Sequence, residues 1–346
     1  MTRFASVHRA LGMILMLFGL ALLAPLVVSH SADDGAQRAY DLVFLLTELC
    51  GTFLWYRYRH SSRDLSVRDG FLLVVLVWTV LPAFSALPFM IQLGMSHTDA
   101  YFEAVSALTA SGGTVMSGLD SLPHSINLWR HLMQWLGGMG LIVLVVAILP
   151  MLGIGGRQML AAEIPGPMKD NRLTPRVTQT AKGLWLIYVA MTIACILAYA
   201  WAGMSWFDAF CHAFSTVSLG GFSTHDASLG YFASPTIEWI CLAFMFFSGV
   251  NYATHFLALT GRSLFVYGRD PEAGWFVGIL FASGFVLANY LWKEGSIADM
   301  DEAFRLALFN VVSVATTTGY STIDYGQWPM FAGLWMLFLC SFSTSA

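Results

Sequence analysis

Leu108-Thr-Ala-Ser-Gly-Gly-Thr114 returns, altered but recognisable, as Val217-Ser-Leu-Gly-Gly-Phe-Ser223 and as Ala315-Thr-Thr-Thr-Gly-Tyr-Ser321. Each copy closes an apolar segment too short to cross a bilayer and precedes one long enough to do so. Ten helical residues rise only about 15 Å, half the hydrocarbon thickness. A half-length helix that stops at glycine and hydroxyl residues predicts a re-entrant dip. Unwound backbone at that depth is tolerated only where protein buries it or where it lines a watery path.

Composition places these dips in a membrane. Hydrophobic residues make up 57% of the 346-residue chain and charged residues 11%, against about 25% charged in ordinary soluble proteins. The reading is an all-α polytopic membrane protein. Full-length spans are expected at 10–29, 40–57, 70–93, 129–152, 183–203, 235–259, 273–292 and 328–346. The first is read as a retained helix, because its apolar run exceeds a usual signal-peptide core and His30 fits a small-residue cleavage site poorly. Cys50, Cys195, Cys211, Cys241 and Cys340 form no CxxC pair and lie in or beside apolar runs, which reads as packing. Net charge is −4 without a block of basic residues, and no nucleic-acid partner is expected.

The basic residues set an orientation. With a cytoplasmic N-terminus, one crossing per full span and dips that re-enter from outside, only Arg38, Arg130, Lys293 and Arg305 of the 17 Lys and Arg fall on the outer side. That is the positive-inside bias. If the short segments crossed, later loops would change sides and the bias would break. Acids gather oppositely: Asp120, Asp208, Asp226 and Asp324 are among those placed near the outer face, where an acidic mouth concentrates cations.

Each short helix carries a Ser-x-x-Asp start signal, at Ser96, Ser205 and Ser296. Thirteen positions separate its Asp from the aligned glycine in the first two copies and twenty in the third, unless the third helix is capped later, near Asp301. The aligned glycines are Gly112, Gly221 and Gly319, and their predecessors are Ser111, Gly220 and Thr318. The negative end of each short helix would point inward. Glycine there allows backbone angles that turn successive carbonyls to one axis. Rings of carbonyls replace an ion's hydration shell in selectivity filters. A large monovalent cation fits this chemistry, since divalent cations recruit carboxylates and none aligns in the three loops.

The competing reading is that small residues simply allow close helix approach; Gly137, Gly138 and Gly140 fit that better than the three loops do. His212 aligns with Glu103 and Asn310 on the short helices, and a satisfied polar contact is its expected role. A membrane haem or redox subunit is a remote alternative, without a second histidine at matching depth in another span. Glu48 is a carboxylate within a span, expected to hydrogen-bond a neighbouring helix. No nucleotide loop, HExxH or catalytic triad is present, so no enzyme is expected.

The chain resembles the bacterial potassium-uptake proteins of the Trk/Ktr/HKT superfamily. The likeness rests on Trp135-Leu-Gly-Gly-Met-Gly-Leu-Ile-Val143, Ala147-Ile-Leu-Pro-Met-Leu-Gly-Ile-Gly155, Pro165-Gly-Pro-Met-Lys-Asp170, Gly220-Gly-Phe-Ser-Thr-His-Asp-Ala227 and Ala315-Thr-Thr-Thr-Gly319. It implies helix–pore-helix–filter-loop–helix repeats around a pseudo-fourfold pore. The division would be a two-helix unit at 1–68, a first repeat at 69–160, a second at 161–262 and an incomplete third at 263–346. A fourth would lie outside this chain, which is then a fragment or is completed by another polypeptide. Potassium is the implied transported and bound ion, held by backbone oxygens at Ser111, Gly112, Gly220, Gly221, Thr318 and Gly319. The resemblance further implies a homodimer embedded in lipid of the inner membrane, regulated by a cytosolic ring of nucleotide-binding TrkA subunits. Sodium permeation or sodium-coupled symport is the alternative within the same superfamily.

Overall fold

The computed structural model describes residues 4–61, 65–140, 177–263 and 265–342. Among these it is helical, with no strand. The first expected span is two abutting helices, α1 (Ala5–Ala21) and α2 (Leu23–Ala32), which together count as one membrane-length element. The expected 40–57 span is α3 (Gln37–Tyr58), long enough to cross but less apolar than its neighbours because it carries Arg38, Asp41, Glu48 and Arg57. The next is α4 (Val67–Leu93), started by a capping box between Ser66 and Asp69. The short helices follow as α5 (His97–Leu108), α8 (Trp206–Val217) and α13 (Met300–Ala315). Between them lie α6 (His124–Trp135), which continues into a π-turn at Leu136–Gly140, and α7 (Val177–Trp201). Then come α9 (Pro235–Gly249), α10 (Tyr252–Gly261), α11 (Phe265–Arg269) and α12 (Pro271–Lys293). The last described helix is α14 (Met330–Phe342).

Helices of membrane length and apolarity occur at Ala5–Ala32, Arg68–Leu93, Lys182–Trp201 and Pro271–Lys293. The expected span 235–259 is apolar and long enough as a pair of helices but is not continuous: α9 and α10 meet at 88°. Val250 leaves helical geometry, and the Asn251 side chain restarts a helix by accepting the Ala253 amide at 2.9 Å. Most of the 129–152 span, with the 147–155 and 165–170 motifs, lies outside the described residues.

Two compact units are present, one drawn from residues 1–108 and 121–185, the other from 109–120 and 186–346. In the first, α1 lies against α3 where Gly12 and Gly51 allow close approach. A Cβ on Gly12 would stand 2.7 Å from the Gly51 carbonyl oxygen. Glu48 packs against Gly19 in the same contact. Its Oε1 has no hydrogen-bond partner among the described residues, so the expected helix-to-helix hydrogen bond is not formed there. Arg130 on α6 donates to Glu103 on α5 at 2.9 Å, both side chains wholly buried. Gly137 serves as the competing reading proposed, because a Cβ there would run into the end of α5 at Leu108.

In the second unit Arg305 of α13 pairs with Glu238 of α9. Leucine, phenylalanine and tryptophan meanwhile face outward, among them Leu197, Phe247, Trp275 and Leu337. Exposed apolar faces around buried ion pairs are the pattern a lipid solvent demands. Cys195, Cys211 and Cys241 are buried in the core, as packing residues would be.

Candidate functional site

Three loops follow the short helices, and all three fall in the second unit as residues 109–120, 218–228 and 316–324. The first two short helices begin as the sequence predicts: Ser96 Oγ accepts the Asp99 amide at 3.1 Å and Ser205 Oγ accepts that of Asp208 at 3.0 Å. The third does not. Asp299 caps it by accepting the Glu302 amide at 3.0 Å, and Ser296 stands outside. The helix is 16 residues against 12 in the other two, one turn longer rather than two.

Every short helix ends in the same backbone device. A left-handed residue, Ala110, Leu219 or Thr317, stands two positions before a left-handed glycine, Gly112, Gly221 or Gly319. Left-handed geometry is foreign to alanine and leucine and more so to β-branched threonine, so finding it three times at one position marks a conformation imposed by context. The amides turn back into the helix. Gly220 and Gly221 both donate to the Ser215 carbonyl, at 2.8 and 3.4 Å, and Thr318 and Gly319 both donate to that of Ser313, at 2.8 and 3.1 Å.

The loops meet through their backbones. A Cβ on Gly112 would overlap the Gly220 carbonyl oxygen and lie 3.1 Å from that of Thr318. A Cβ on Gly221 would overlap the Thr318 carbonyl oxygen. Gly112, Gly220, Gly221 and Thr318 are thus brought together. Gly319 has open space where its Cβ would be, and Ser111 precedes Gly112 in the same bend. Side-chain hydroxyls pair within the first and third loops: Thr109 with Ser111 at 2.6 Å and Thr316 with Thr318 at 2.7 Å.

Past their glycines the first two loops are clasped together. Asp226 accepts the amides of Gly118 at 2.9 Å and Leu119 at 3.1 Å. Asp120 accepts the Asp226 amide at 3.2 Å and faces Nδ1 of His225. The hydrogen bond from His225, then the Asp226 amide, hold the Asp120 carboxyl below its usual range. His225 also stacks on Tyr231, with ring centroids 3.4 Å apart.

The family profile described as TrkH, cation transport protein, matches residues 41–346. The chain belongs to the TrkH family. It is 48% identical over 340 residues to the Trk system potassium uptake protein TrkH of Escherichia coli K12, covering 98% of this chain and 70% of that protein. It is 37% identical over 320 residues to the Trk system potassium uptake protein TrkG of the same organism, covering 92% and 66%. The crystal structure of the potassium transporter TrkH from Vibrio parahaemolyticus superposes with a TM-score of 0.85 at 43% identity, over 98% of this chain and 70% of that one. The all-α membrane fold expected from the sequence is therefore that of the TrkH family, and the chain is a transporter polypeptide.

Two features of the site escaped sequence reading. One is the left-handed residue before each glycine. The other is a serine six positions ahead of each glycine, Ser106, Ser215 and Ser313, the latter two being the residues whose carbonyls collect the loop amides. The serine recurrence was visible in the alignment of the three copies; the left-handed angle had no sequence signal, since alanine, leucine and threonine share no turn preference.

Proposed function

We propose that this chain carries the potassium pathway of a Trk-type uptake system in a bacterial inner membrane. Backbone oxygens of Ser111, Gly112, Gly220, Gly221, Thr318 and Gly319 take the place of the ion's water. The observation that carries the reading is the Thr318 carbonyl oxygen, which lies against both Gly112 and Gly221 and so ties three separate loops to one point. The amides of the second and third loops are used by Ser215 and Ser313. What these loops offer inward is therefore acceptor oxygen, the chemistry of a dehydrated monovalent cation.

In this reading the repeats run 69–160, 161–262 and 263–346 behind a two-helix unit at 1–68. A fourth loop, beside the open side of Gly319, completes the ring. The N-terminus is cytoplasmic, in keeping with the distribution of basic residues. The working protein is a homodimer in lipid, gated by a cytosolic nucleotide-binding TrkA ring. Potassium uptake into proteoliposomes holding the full-length protein tests the reading. Uptake should persist under excess external sodium and vanish in Gly221→Val while insertion is retained. Sodium entering as readily as potassium would replace this reading with the sodium-permeable one.

A further inference from the structure

The position nine residues before each filter glycine is wholly buried and polar in all three copies: Glu103, His212 and Asn310. In each copy this residue reaches forward to the chain that returns from the loop. Glu103 takes the ion pair from Arg130 on α6. His212 meets Ser223, two residues past Gly221, at 3.0 Å through Nε2. Asn310 donates to Thr322, three residues past Gly319, at 3.1 Å.

The His212 ring is held at both nitrogens. Nδ1 lies 2.9 Å from the Asp208 carbonyl, an acceptor only, so the neutral ring keeps its proton there. Nε2 then accepts from the Ser223 hydroxyl, whose oxygen in turn accepts the His225 amide at 3.1 Å. The His212 main-chain carbonyl accepts the Tyr320 hydroxyl at 3.2 Å. Tyr320 follows Gly319, so this one residue holds its own loop by its ring and the neighbouring loop by its backbone. Asn310 leaves its Oδ1 without a partner among the described residues. A residue chosen to fill space would avoid that cost.

The geometry points to His212 and Asn310 as positioning residues that set the spacing of the carbonyl ring and thereby its preference among monovalent cations; this rests on the carbonyl-filter reading above. Neither side chain touches the ion. Each ties the strand leaving the filter back to its short helix. Their loss lets the oxygens of Gly220, Gly221, Thr318 and Gly319 relax toward a ring that accepts a smaller, less easily stripped ion.

The test is reversal-potential measurement of potassium against sodium on full-length protein in bilayers, for His212→Ala, Ser223→Ala, Asn310→Ala and Thr322→Val. Each is expected to lower potassium preference about fivefold, the size of one hydrogen bond. His212→Gln, which restores an acceptor for Ser223, should recover part of it. The pair His212→Ala with Ser223→Ala should lose no more than either alone. Thermal stability is read in parallel, and Ser223→Ala and Thr322→Val serve should the larger truncations fail to fold. Undiminished preference in these two variants overturns the inference, as does an additive loss in the His212–Ser223 pair. A wild-type protein that does not discriminate the ions instead overturns the filter reading itself.

Discussion

The Thr318 carbonyl oxygen occupies the space in which a side chain on Gly221 would begin. These residues are far apart in the chain and lie in different loops, yet Gly221 cannot gain a side chain without moving the Thr318 backbone. Gly221 also has a φ of +70°. Gly221→Ala therefore carries two penalties, a left-handed backbone unfavourable to any Cβ and a collision with backbone that no rotamer can relieve. We expect Gly221→Ala to abolish transport in the full-length protein. Gly278→Ala, inside α12 with open space around it, should leave transport intact and shift stability by at most about 1 kcal/mol in the favourable direction. Uptake assays on both variants, normalised to inserted protein, check this. Retained flux in Gly221→Ala would show that the loops do not meet in the working protein.

The clasp between the first two loops should depend on pH. Hydrogen bonding from His225 and from the Asp226 amide holds Asp120 below the ordinary carboxylate range, around 3.9. A depressed folded value means that the contribution is complete above the unfolded pKa and is lost as pH falls through the lower, folded one. Amide exchange in residues 221–228 should therefore stay slow at neutral pH and accelerate only in strong acid. Asp120→Asn should make exchange fast throughout. Mass-detected exchange across an acid series would show it, and an unchanged profile in Asp120→Asn would assign the protection elsewhere.

The sequence made the three dips legible because their physics is local. A helix of a dozen residues cannot span, and Ser-x-x-Asp followed by Gly marks its two ends. Ser96 and Ser205 start their helices as that signal requires. It failed at Ser296 because Asp299 offers an equally good cap one turn closer to the helix body. The break between α9 and α10 was hidden for another reason. Residues 235–259 are apolar enough to read as one span, and what divides them is a single cap competing with a continuous backbone ladder. The role of Thr318 was out of reach, since it depends on which carbonyl of a loop distant in sequence arrives at Gly221. Spacing along a chain does not encode that.

That competing cap can be removed. Asn251 accepts the Ala253 amide at 2.9 Å, and His255 anchors the restarted helix by its contact with the Phe247 carbonyl at 2.8 Å. Asn251→Ala should cost about 1 kcal/mol and shift residues 247–252 toward continuous helix. A spin-label pair placed on α9 and α10 would report a longer mean separation as the bend opens. An unaltered distance distribution would mean that the His255 contact alone maintains the angle.

Glu103 and Arg130 pose the sharpest energetic question, because neither side chain is exposed and the pair joins the first short helix to α6. Burying two charges costs several kcal/mol each, and their attraction offsets that cost only while both are present. Glu103→Ala should therefore be far worse than the loss of one ordinary hydrogen bond: about 3–5 kcal/mol, since Arg130 would remain charged in a dry site. Replacing both, as Glu103→Leu with Arg130→Met, removes both desolvation terms together and should recover most of the stability. Thermal unfolding of the full-length protein in detergent distinguishes the two cases. If the double variant is as unstable as Glu103→Ala, the pair holds α5 by its geometry and not merely by mutual neutralisation. Where the double variant is stable, loss of ion selectivity is the expected companion result, because α5 leads directly into the loop that carries Gly112.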